Sequence, residues 1–299
     1  MLRQALADAD WRFVWLALGS IMVTVWLKAL RWRLLFRPKS SRPPFSAAFN
    51  ALMLNQFVNL VFFVRIGEVA RLLYVRGNSA ETRPAASQTV GTIIVEKWLE
   101  LLAAALTMAG LLLLIVDLPA GIDQRATQYG IIVIVLLAVL YLLAFQTERL
   151  IQLANHLYAF LPTRWEVRLQ QATIAGLEGI VLLREPRAVL VQLILSFGVM
   201  ALYIATPLLL FLAFGLPYST FDAAVLHTGI GLLIAVPSTP GKFGILEVST
   251  LAILQFLNPN VPEAHLLSYA IVYHLTIILP PLLWGGLVAL RFDWSWKTP

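Results

Sequence analysis

The sequence contains no cysteine and few charged residues. Of its 299 residues, 13% are Asp, Glu, Lys or Arg, whereas soluble domains carry about 25%. The absence of cysteine excludes disulfides, thiolate zinc sites and cysteine nucleophiles. The chain also lacks HExxH and GxSxG motifs, and its four histidines are too scattered for a local metal motif. We therefore expect no catalytic residue, no metal site and no cofactor.

Apolar residues are in large excess. They make up 60% of the chain, and the mean hydropathy is +0.81, whereas soluble domains are about 45–50% apolar. One globular core cannot bury this excess, so most of it must face lipid. The sequence predicts an all-α polytopic membrane protein, with residues 1–299 forming a single integral-membrane domain. No nucleic-acid partner is expected.

Five apolar stretches are long enough to cross a bilayer, which takes about 17–25 residues. They lie at 11–28, 89–116, 129–145, 188–214 and 264–290. Two further apolar regions, 46–75 and 222–257, are each interrupted by charged, Gly or Pro residues. Their halves, of about 12–18 residues, are too short to span alone, so we expect two re-entrant helical hairpins.

The basic residues predict the orientation. If each hairpin returns to the face from which it enters, 17 of the 22 Lys and Arg residues lie on one side. They are divided six, four, five and two among segments 28–42, 65–88, 146–187 and 291–299. Cytoplasmic loops carry the Lys/Arg excess, so this side is cytoplasmic. The N-terminus is then outside and the C-terminus inside.

The order of the segments indicates an inverted repeat. Residues 11–116 and 188–290 each contain a helix, a broken hairpin and a second helix. The linking region 117–187 contains the odd crossing that inverts the second unit, followed by a cytoplasmic segment. That segment is interpreted either as an amphipathic helix on the membrane surface or as a plain connecting helix. Inverted repeats with discontinuous helices are a recurring transporter architecture.

The two breaks carry the first candidate site residues. A broken helix within lipid exposes backbone groups that must be satisfied by protein or by a wet cavity. Helix N-termini in such a place carry positive partial charge and favour anions, and glycines allow a ligand to approach the backbone. The candidates for binding an anionic ligand are Arg65, Gly67, Glu68 and Arg71 in the first break, and Gly241, Lys242, Gly244 and Glu247 in the second.

Further polar residues lie within the predicted spans. Glu96, Lys97 and Glu100 lie in span 89–116, and we expect the carboxylates to pair with Arg65, Arg71 or Lys97. The alternative is that these three side chains snorkel at the cytoplasmic end of the helix. The matching region of the second unit offers Tyr273 and His274 as candidates. Asn55 and Asn59 are interpreted as interhelical hydrogen-bonding residues.

Four segments in order resemble a known family. "VRIGEVAR", "VEKWLELL", "VPSTPGKFGILE" and "YAIVYHL" are similar to the lysylphosphatidylglycerol synthase transmembrane family. This is the flippase half of the bacterial multiple peptide resistance factor, also found as stand-alone proteins. The chain departs from the family pattern at Phe63, which replaces a proline, and at Lys97, which replaces an arginine. His274 also replaces an arginine, which puts a phosphate contact there in doubt.

The resemblance implies a lipid flippase or scramblase-type transporter. Its substrate would be an anionic or sugar-bearing lipid, either a membrane phospholipid or a polyprenyl-phosphate-linked lipid. Lipid aminoacylation is not implied. Two alternatives stay open: an accessory membrane protein of a glycosyltransferase or cell-envelope enzyme, and an intramembrane enzyme acting on lipid phosphates through Glu68 or Glu96. A homo-oligomer or an envelope-synthesis partner also stays open.

Overall fold

The fold comes from a computed structural model that describes residues 7, 9–62, 66–79, 82, 84–113, 185–233 and 239–292. Within these ranges the regular elements are helices, which confirms the all-α prediction for this part of the chain. The α-helices are α1 (Trp11–Leu35), α2 (Phe45–Val61), α3 (Gly67–Asn78), α4 (Ala86–Leu113), α5 (Pro186–Ala213), α6 (Thr220–Leu233), α7 (Ile245–Leu257), α8 (Glu263–Pro280) and α9 (Gly286–Arg291). Short 3-10 turns occupy Lys39–Ser41 and Pro240–Lys242, and a π-helical turn at Pro281–Gly285 joins α8 to α9.

Three of the described helical segments are long and apolar enough to cross a membrane. They are α1, the Arg187–Ala213 part of α5, and the continuous run Glu263–Arg291. Large apolar side chains such as Trp15 and Ile194 project from α1 and α5 into the surroundings, as expected for lipid-facing helices. The chain is therefore a helical membrane protein. The predicted span at 129–145 and most of the cytoplasmic segment lie outside the described residues.

The first predicted span ends too early. The sequence predicts its end at residue 28, but α1 continues to Leu35. The sequence "KALRWRLL" consists mainly of strong helix formers, and the first proline comes only at Pro38. Lys28 and Arg31 therefore lie on a helix rather than in a cytoplasmic loop.

Both predicted breaks occur where helices end. In the first broken region α2 ends at Val61 and α3 begins at Gly67. In the second, α6 ends at Leu233 and α7 begins only after the 3-10 turn. In the second pair the two helices pack side by side, and a Cβ placed on Gly229 of α6 would lie 2.8 Å from Ile253 Cδ1 of α7. The return of each hairpin to its starting face stays a prediction.

The chain forms two compact units. Unit 1 comprises Met1–Trp26, Phe49–Tyr74 and Ala201–Pro299, and unit 2 comprises Leu27–Ala48 and Val75–Met200. Each unit therefore draws residues from both predicted repeats. The boundaries of those repeats, and the single integral-membrane domain, stay predictions.

Helices α1 and α5 run antiparallel. In unit 1, Ser20 and Thr206 share a hydrogen bond of 2.7 Å, and the Asp10 N–H donates to the Ala213 carbonyl. In unit 2, Arg31 Nη1 donates to Ser196 Oγ over 3.1 Å. Residue numbers fall along α5 as they rise along α1, so the two helices point in opposite directions.

Within unit 1, helix α2 packs tightly against the π-helical turn. Consecutive prolines at 280 and 281 lack backbone N–H donors, which accounts for the irregular turn at this point. A Cβ on Gly285 would collide with the Met53 carbonyl oxygen and would lie 2.6 Å from Phe57 Cβ. The Trp284 indole N–H donates to Asn50 Oδ1 over 2.9 Å. Gly285 therefore permits backbone contact that no larger residue would allow.

Candidate functional site

The start of α3 is capped by side chains from α2. The Gly67 N–H donates to Asn59 Oδ1 over 2.9 Å, and Asn59 Nδ2 donates to Asn55 Oδ1 over 2.7 Å. Asn55 Nδ2 in turn donates to Glu68 Oε2 over 2.7 Å. The first N–H groups of a helix have no partner within it, so this chain of amides satisfies one of them inside the protein. Asn55, Asn59, Gly67, Glu68 and Arg71 are hereafter the first-break cluster.

Glycine is required at position 67 for space. A Cβ there would collide with the Asn55 carbonyl oxygen and would lie 2.6 Å from Asn59 Nδ2. The sequence predicts that a ligand approaches the backbone at Gly67. In the structure the group that approaches Gly67 closely is helix α2.

The two charged residues of this cluster differ in their exposure. Arg71 Nη1 lies 3.5 Å from Glu68 Oε2, one helical turn away. The Arg71 side chain is 1% exposed and the Glu68 side chain 32%. Glu68 is therefore partly accessible in this structure, whereas Arg71 is covered. Arg65, the other predicted cation, lies outside the described residues.

The second break has an unusual backbone. Gly241, Lys242 and Gly244 have φ values of 69°, 60° and 81°, in the left-handed region that favours glycine. The two predicted glycines therefore have a conformational role. Lys242 occupies the same region with a side chain, which is a strained conformation of the kind that clusters at functional sites.

His274 of α8 connects the second break to α7. Its Nε2 lies 2.8 Å from the Gly241 carbonyl oxygen, and its Nδ1 lies 2.5 Å from Glu247 Oε1. The other carboxylate oxygen, Oε2, accepts the Gly244 N–H over 2.8 Å. The Phe243 ring packs edge-on against the buried imidazole, with centroids 4.9 Å apart. These contacts bring together four predicted site residues: Gly241, Gly244, Glu247 and His274.

Tyr273 lies in different surroundings from its neighbour His274. The Tyr273 ring is buried and stacks on Tyr269, with centroids 5.8 Å apart. Tyr269 stacks in turn on Phe211 of α5. Successive residues on a helix point about 100° apart, so Tyr273 and His274 face different neighbours. We therefore interpret Tyr273 as part of an aromatic stack.

A third cluster lies in unit 2. Arg31 Nη2 lies 3.0 Å from Glu100 Oε1 and 3.4 Å from Glu96 Oε1. Lys28 Nζ lies 2.8 Å from Glu100 Oε1, and Lys97 Nζ lies 3.5 Å from Glu100 Oε2. The Arg31 and Glu96 side chains are fully buried, whereas Lys97 is 50% exposed. These five residues are hereafter the ionic cluster of unit 2.

The expected partners of the two carboxylates were partly wrong. Lys97 does pair with Glu100, as predicted. Within unit 2, however, the closest cations to Glu100 are Lys28 and Arg31, which we had counted as loop charges. The alternative of snorkelling is wrong for Glu96, because that side chain is fully buried.

Sequence reasoning missed several members of these clusters. Lys28 and Arg31 are three residues apart, so they share a helix face if α1 extends beyond residue 28. This spacing was a sequence signal that the two cations contact the same partner. Gln192 and Ser196, four apart in the apolar helix α5, were a second signal, since both hydrogen-bond to Arg31. Asn55 and Asn59 do hydrogen-bond to the neighbouring helix, as predicted, and Asn59 in addition caps α3, which was not predicted.

The three clusters place ionised or strongly polar groups within apolar helices. Such groups are costly in hydrocarbon unless they face protein or water. In the described ranges, no group of three or more His, Asp or Glu residues is placed to hold a metal ion. Paired cations and carboxylates can form charge-assisted hydrogen bonds with a phosphate or a zwitterionic group.

The comparison with protein families decides the identity. The family described as the lysylphosphatidylglycerol synthase TM region matches residues 1–285. The chain belongs to this family. No curated protein and no solved structure matches the chain. The predicted resemblance is confirmed, and the matched residues include all three clusters. This lysylphosphatidylglycerol synthase TM region is a membrane domain associated with lipid handling.

Proposed function

We propose that this chain moves a lipid with an anionic or sugar-bearing head group between the membrane leaflets, as a flippase or scramblase. The observation that carries the proposal is that each helix break holds a carboxylate fixed by hydrogen bonds. Glu68 is held by Asn55, and Glu247 is held by Gly244 and His274. Polar groups at membrane depth are expected to line a substrate path. The chain would convert nothing chemically.

The head group would meet different residues in turn. Lys242, half-buried beside two left-handed glycines, and Arg65 would bind phosphate. Arg71 would join them once the first break opens, because Glu68 and its surroundings now cover it. Glu68 and Glu247 would hold the breaks closed in the absence of lipid.

The exposed and the buried residues of the ionic cluster of unit 2 would have different roles. Lys97 and Glu100 reach the surface and could contact a head group. Arg31 and Glu96 are fully buried, so we assign them a positioning role that holds α1 against α4. Buried ion pairs of this kind are more effective at fixing one arrangement of helices than at adding stability.

The proposal includes an architecture of five full spans and two re-entrant hairpins, arranged as an inverted repeat in the inner membrane. The N-terminus would be outside and the C-terminus inside. The antiparallel course of α1 and α5 supports it, since an inverted repeat requires its first helices to run in opposite directions.

The test is lipid movement in proteoliposomes. Fluorescent phosphatidylglycerol, phosphatidylcholine and a polyprenyl-phosphate analogue are incorporated, and dithionite quenches whichever label reaches the outer leaflet. We expect accelerated quenching for an anionic lipid. Glu68→Gln keeps the hydrogen bond from Asn55 but removes the charge that holds Arg71 in position, and should slow movement about tenfold or more, because hydrogen bonds to charged groups contribute roughly 1.5–3 kcal/mol. Glu263→Gln, on the exposed first turn of α8, is the matched control.

The other outcomes identify the alternatives. If no lipid is accelerated and the protein co-purifies with a glycosyltransferase or an envelope enzyme, it is an accessory protein. If the lipid changes mass during incubation, it is an intramembrane enzyme. Either result would contradict transport.

A further inference from the structure

Both nitrogens of the His274 ring face hydrogen-bond acceptors. Nε2 lies 2.8 Å from the Gly241 carbonyl oxygen and Nδ1 lies 2.5 Å from Glu247 Oε1. A neutral imidazole carries one N–H and one lone pair. A carbonyl oxygen only accepts, so the Nε2 position requires a proton. The short contact between Nδ1 and the carboxylate oxygen requires a second proton, held by one atom or the other.

The arrangement therefore contains one proton more than its separated parts. An ordinary histidine is mostly neutral above about pH 6.5, and an ordinary glutamate is ionised above about pH 4.3. Apart from each other at neutral pH, the two side chains carry one proton. Together, as an imidazolium with a carboxylate or an imidazole with a carboxylic acid, they carry two.

We propose that His274 and Glu247 form a proton-binding site that closes the second break against α8. When the pair holds the extra proton, His274 is hydrogen-bonded to both Gly241 and Glu247. When that proton is lost, one ring nitrogen of His274 places its lone pair against an acceptor, and the second break is released. The proton bound at this site would be the coupling ion of lipid movement, a role that rests on the proposed function. The proton site itself stands on the geometry alone.

The surrounding groups leave His274 and Glu247 as the pair that exchanges the proton. Glu247 is the ionisable side chain of α7, and it faces the imidazole directly. In the described part of the break, Lys242 is the ionisable residue and lies next to Gly241. The neighbouring Tyr273 stacks on Tyr269, and Phe243 covers one edge of the ring. A cation at Lys242 would favour proton loss.

The sign of the pH dependence follows from proton linkage. The closed break holds the extra proton, so closure weakens as the pH rises above about 6.5, the range in which a free histidine loses its proton. With one proton taken up on closing, the closing equilibrium constant falls about tenfold per pH unit in that range. The proposed pathway would therefore open as the pH rises.

The experiment measures closure without reference to transport. Full-length protein in nanodiscs is ¹⁵N-labelled at histidine, and His274 is assigned by the loss of its signal in His274→Gln. We expect both ring nitrogens of His274 to be protonated at pH 6. In hydrogen exchange of peptides covering residues 239–247, the protection factor, corrected for intrinsic rates, should fall about tenfold per pH unit above about 6.5. A singly protonated, neutral His274 ring at pH 6, or a protection factor unchanged up to pH 9, would overturn the proposal.

Glu247→Gln separates proton binding from packing. A glutamine can accept the Gly244 N–H through Oε1 and donate through Nε2 to a neutral imidazole, so all the hydrogen bonds persist without the extra proton. We expect closure to be retained and its pH dependence to disappear. His227→Gln, at the histidine that stacks on Tyr203, is the matched control and should keep the wild-type pH profile. A Glu247→Gln protein with the wild-type pH dependence would contradict the site. Should the variant not fold, the histidine spectrum of the wild type decides.

The transport arm distinguishes the two proposals. Dithionite assays at pH 6 and pH 8 should show faster lipid movement at pH 8 in the wild type and equal rates in Glu247→Gln. If no lipid moves but closure titrates, the proposed function fails and the proton site is supported. If lipid moves while closure is independent of pH, the proton site is wrong.

Discussion

The backbone N–H of Gly67 donates a hydrogen bond to the side-chain oxygen of Asn59, eight residues earlier, over 2.9 Å. This bond ties the first turn of α3 to the preceding helix α2. The glycine and the charges that interrupt the apolar run are therefore part of a fixed structure. They form a helix start at which one backbone N–H is satisfied by an asparagine and the glutamate is partly exposed.

Gly67→Ala should destabilise the protein. The added Cβ would collide with the Asn55 carbonyl oxygen, which belongs to helix backbone and cannot move aside easily. We expect a loss of about 1–3 kcal/mol, as for other overpacked positions, measured as a lower midpoint of thermal unfolding in detergent. Gly19→Ala in α1 is the control. It has no atom within 4 Å of the new Cβ and should leave the midpoint unchanged or raise it. Equal effects of the two substitutions would contradict the close approach.

Arg31→Met should be among the most destabilising substitutions in unit 2. It removes the guanidinium that lies beside both Glu96 and Glu100 while leaving the fully buried Glu96 carboxylate in place. Breaking a buried pair from one side costs about 3–5 kcal/mol. Lys97→Met removes a half-exposed cation from the same cluster and should cost less than about 1 kcal/mol. Both values are measurable by chemical unfolding in micelles. If the two variants proved equally stable, Arg31 would not hold the cluster together.

Tyr218, in the connection between α5 and α6, gives a pH prediction. Its hydroxyl donates to the Leu254 carbonyl over 2.8 Å, and burial together with the Asp222 carboxylate raises its pKa to about 12. The unfolded pKa is about 10. The bond therefore stabilises the protein fully below about pH 10, and this contribution is lost as pH rises through about 12. Between these values the stability advantage of the wild type over Tyr218→Phe should shrink. An advantage that stays constant over this range would show that the phenol titrates normally.

The helix positions were largely predictable because apolar length and helix breakers are local properties. Glycine at 67 and the Pro-Gly sequence at 240–241 marked both interruptions, and the structure ends or begins helices near each of them. The end of α1 was missed by seven residues, at Leu35 instead of 28. The reason is that Lys and Arg were interpreted as loop charges, although both are good helix formers.

The partners of the charged residues were less predictable. Arg31 and Glu96 are 65 positions apart, and no local pattern pairs them; only the packing of α1 against α4 does. The two asparagines had an ordinary interpretation as interhelical contacts. The dual contact of His274 depends on the left-handed turn at Gly241, which directs a carbonyl towards α8. A glycine in the sequence suggests that such a turn is present, but it does not indicate the direction in which the turn points the carbonyl group.

The most direct test of the central claim is to locate a bound head group. A phosphatidylglycerol analogue carrying a photoreactive diazirine on its head group is irradiated with the protein in nanodiscs, and the labelled peptides are mapped by mass spectrometry. We predict labels within residues 66–71 and 239–247, reduced by excess unlabelled lipid. Labels confined to the outward-facing side chains of α1 and α5, such as Trp15 and Ile194, would contradict a head-group site at the two breaks.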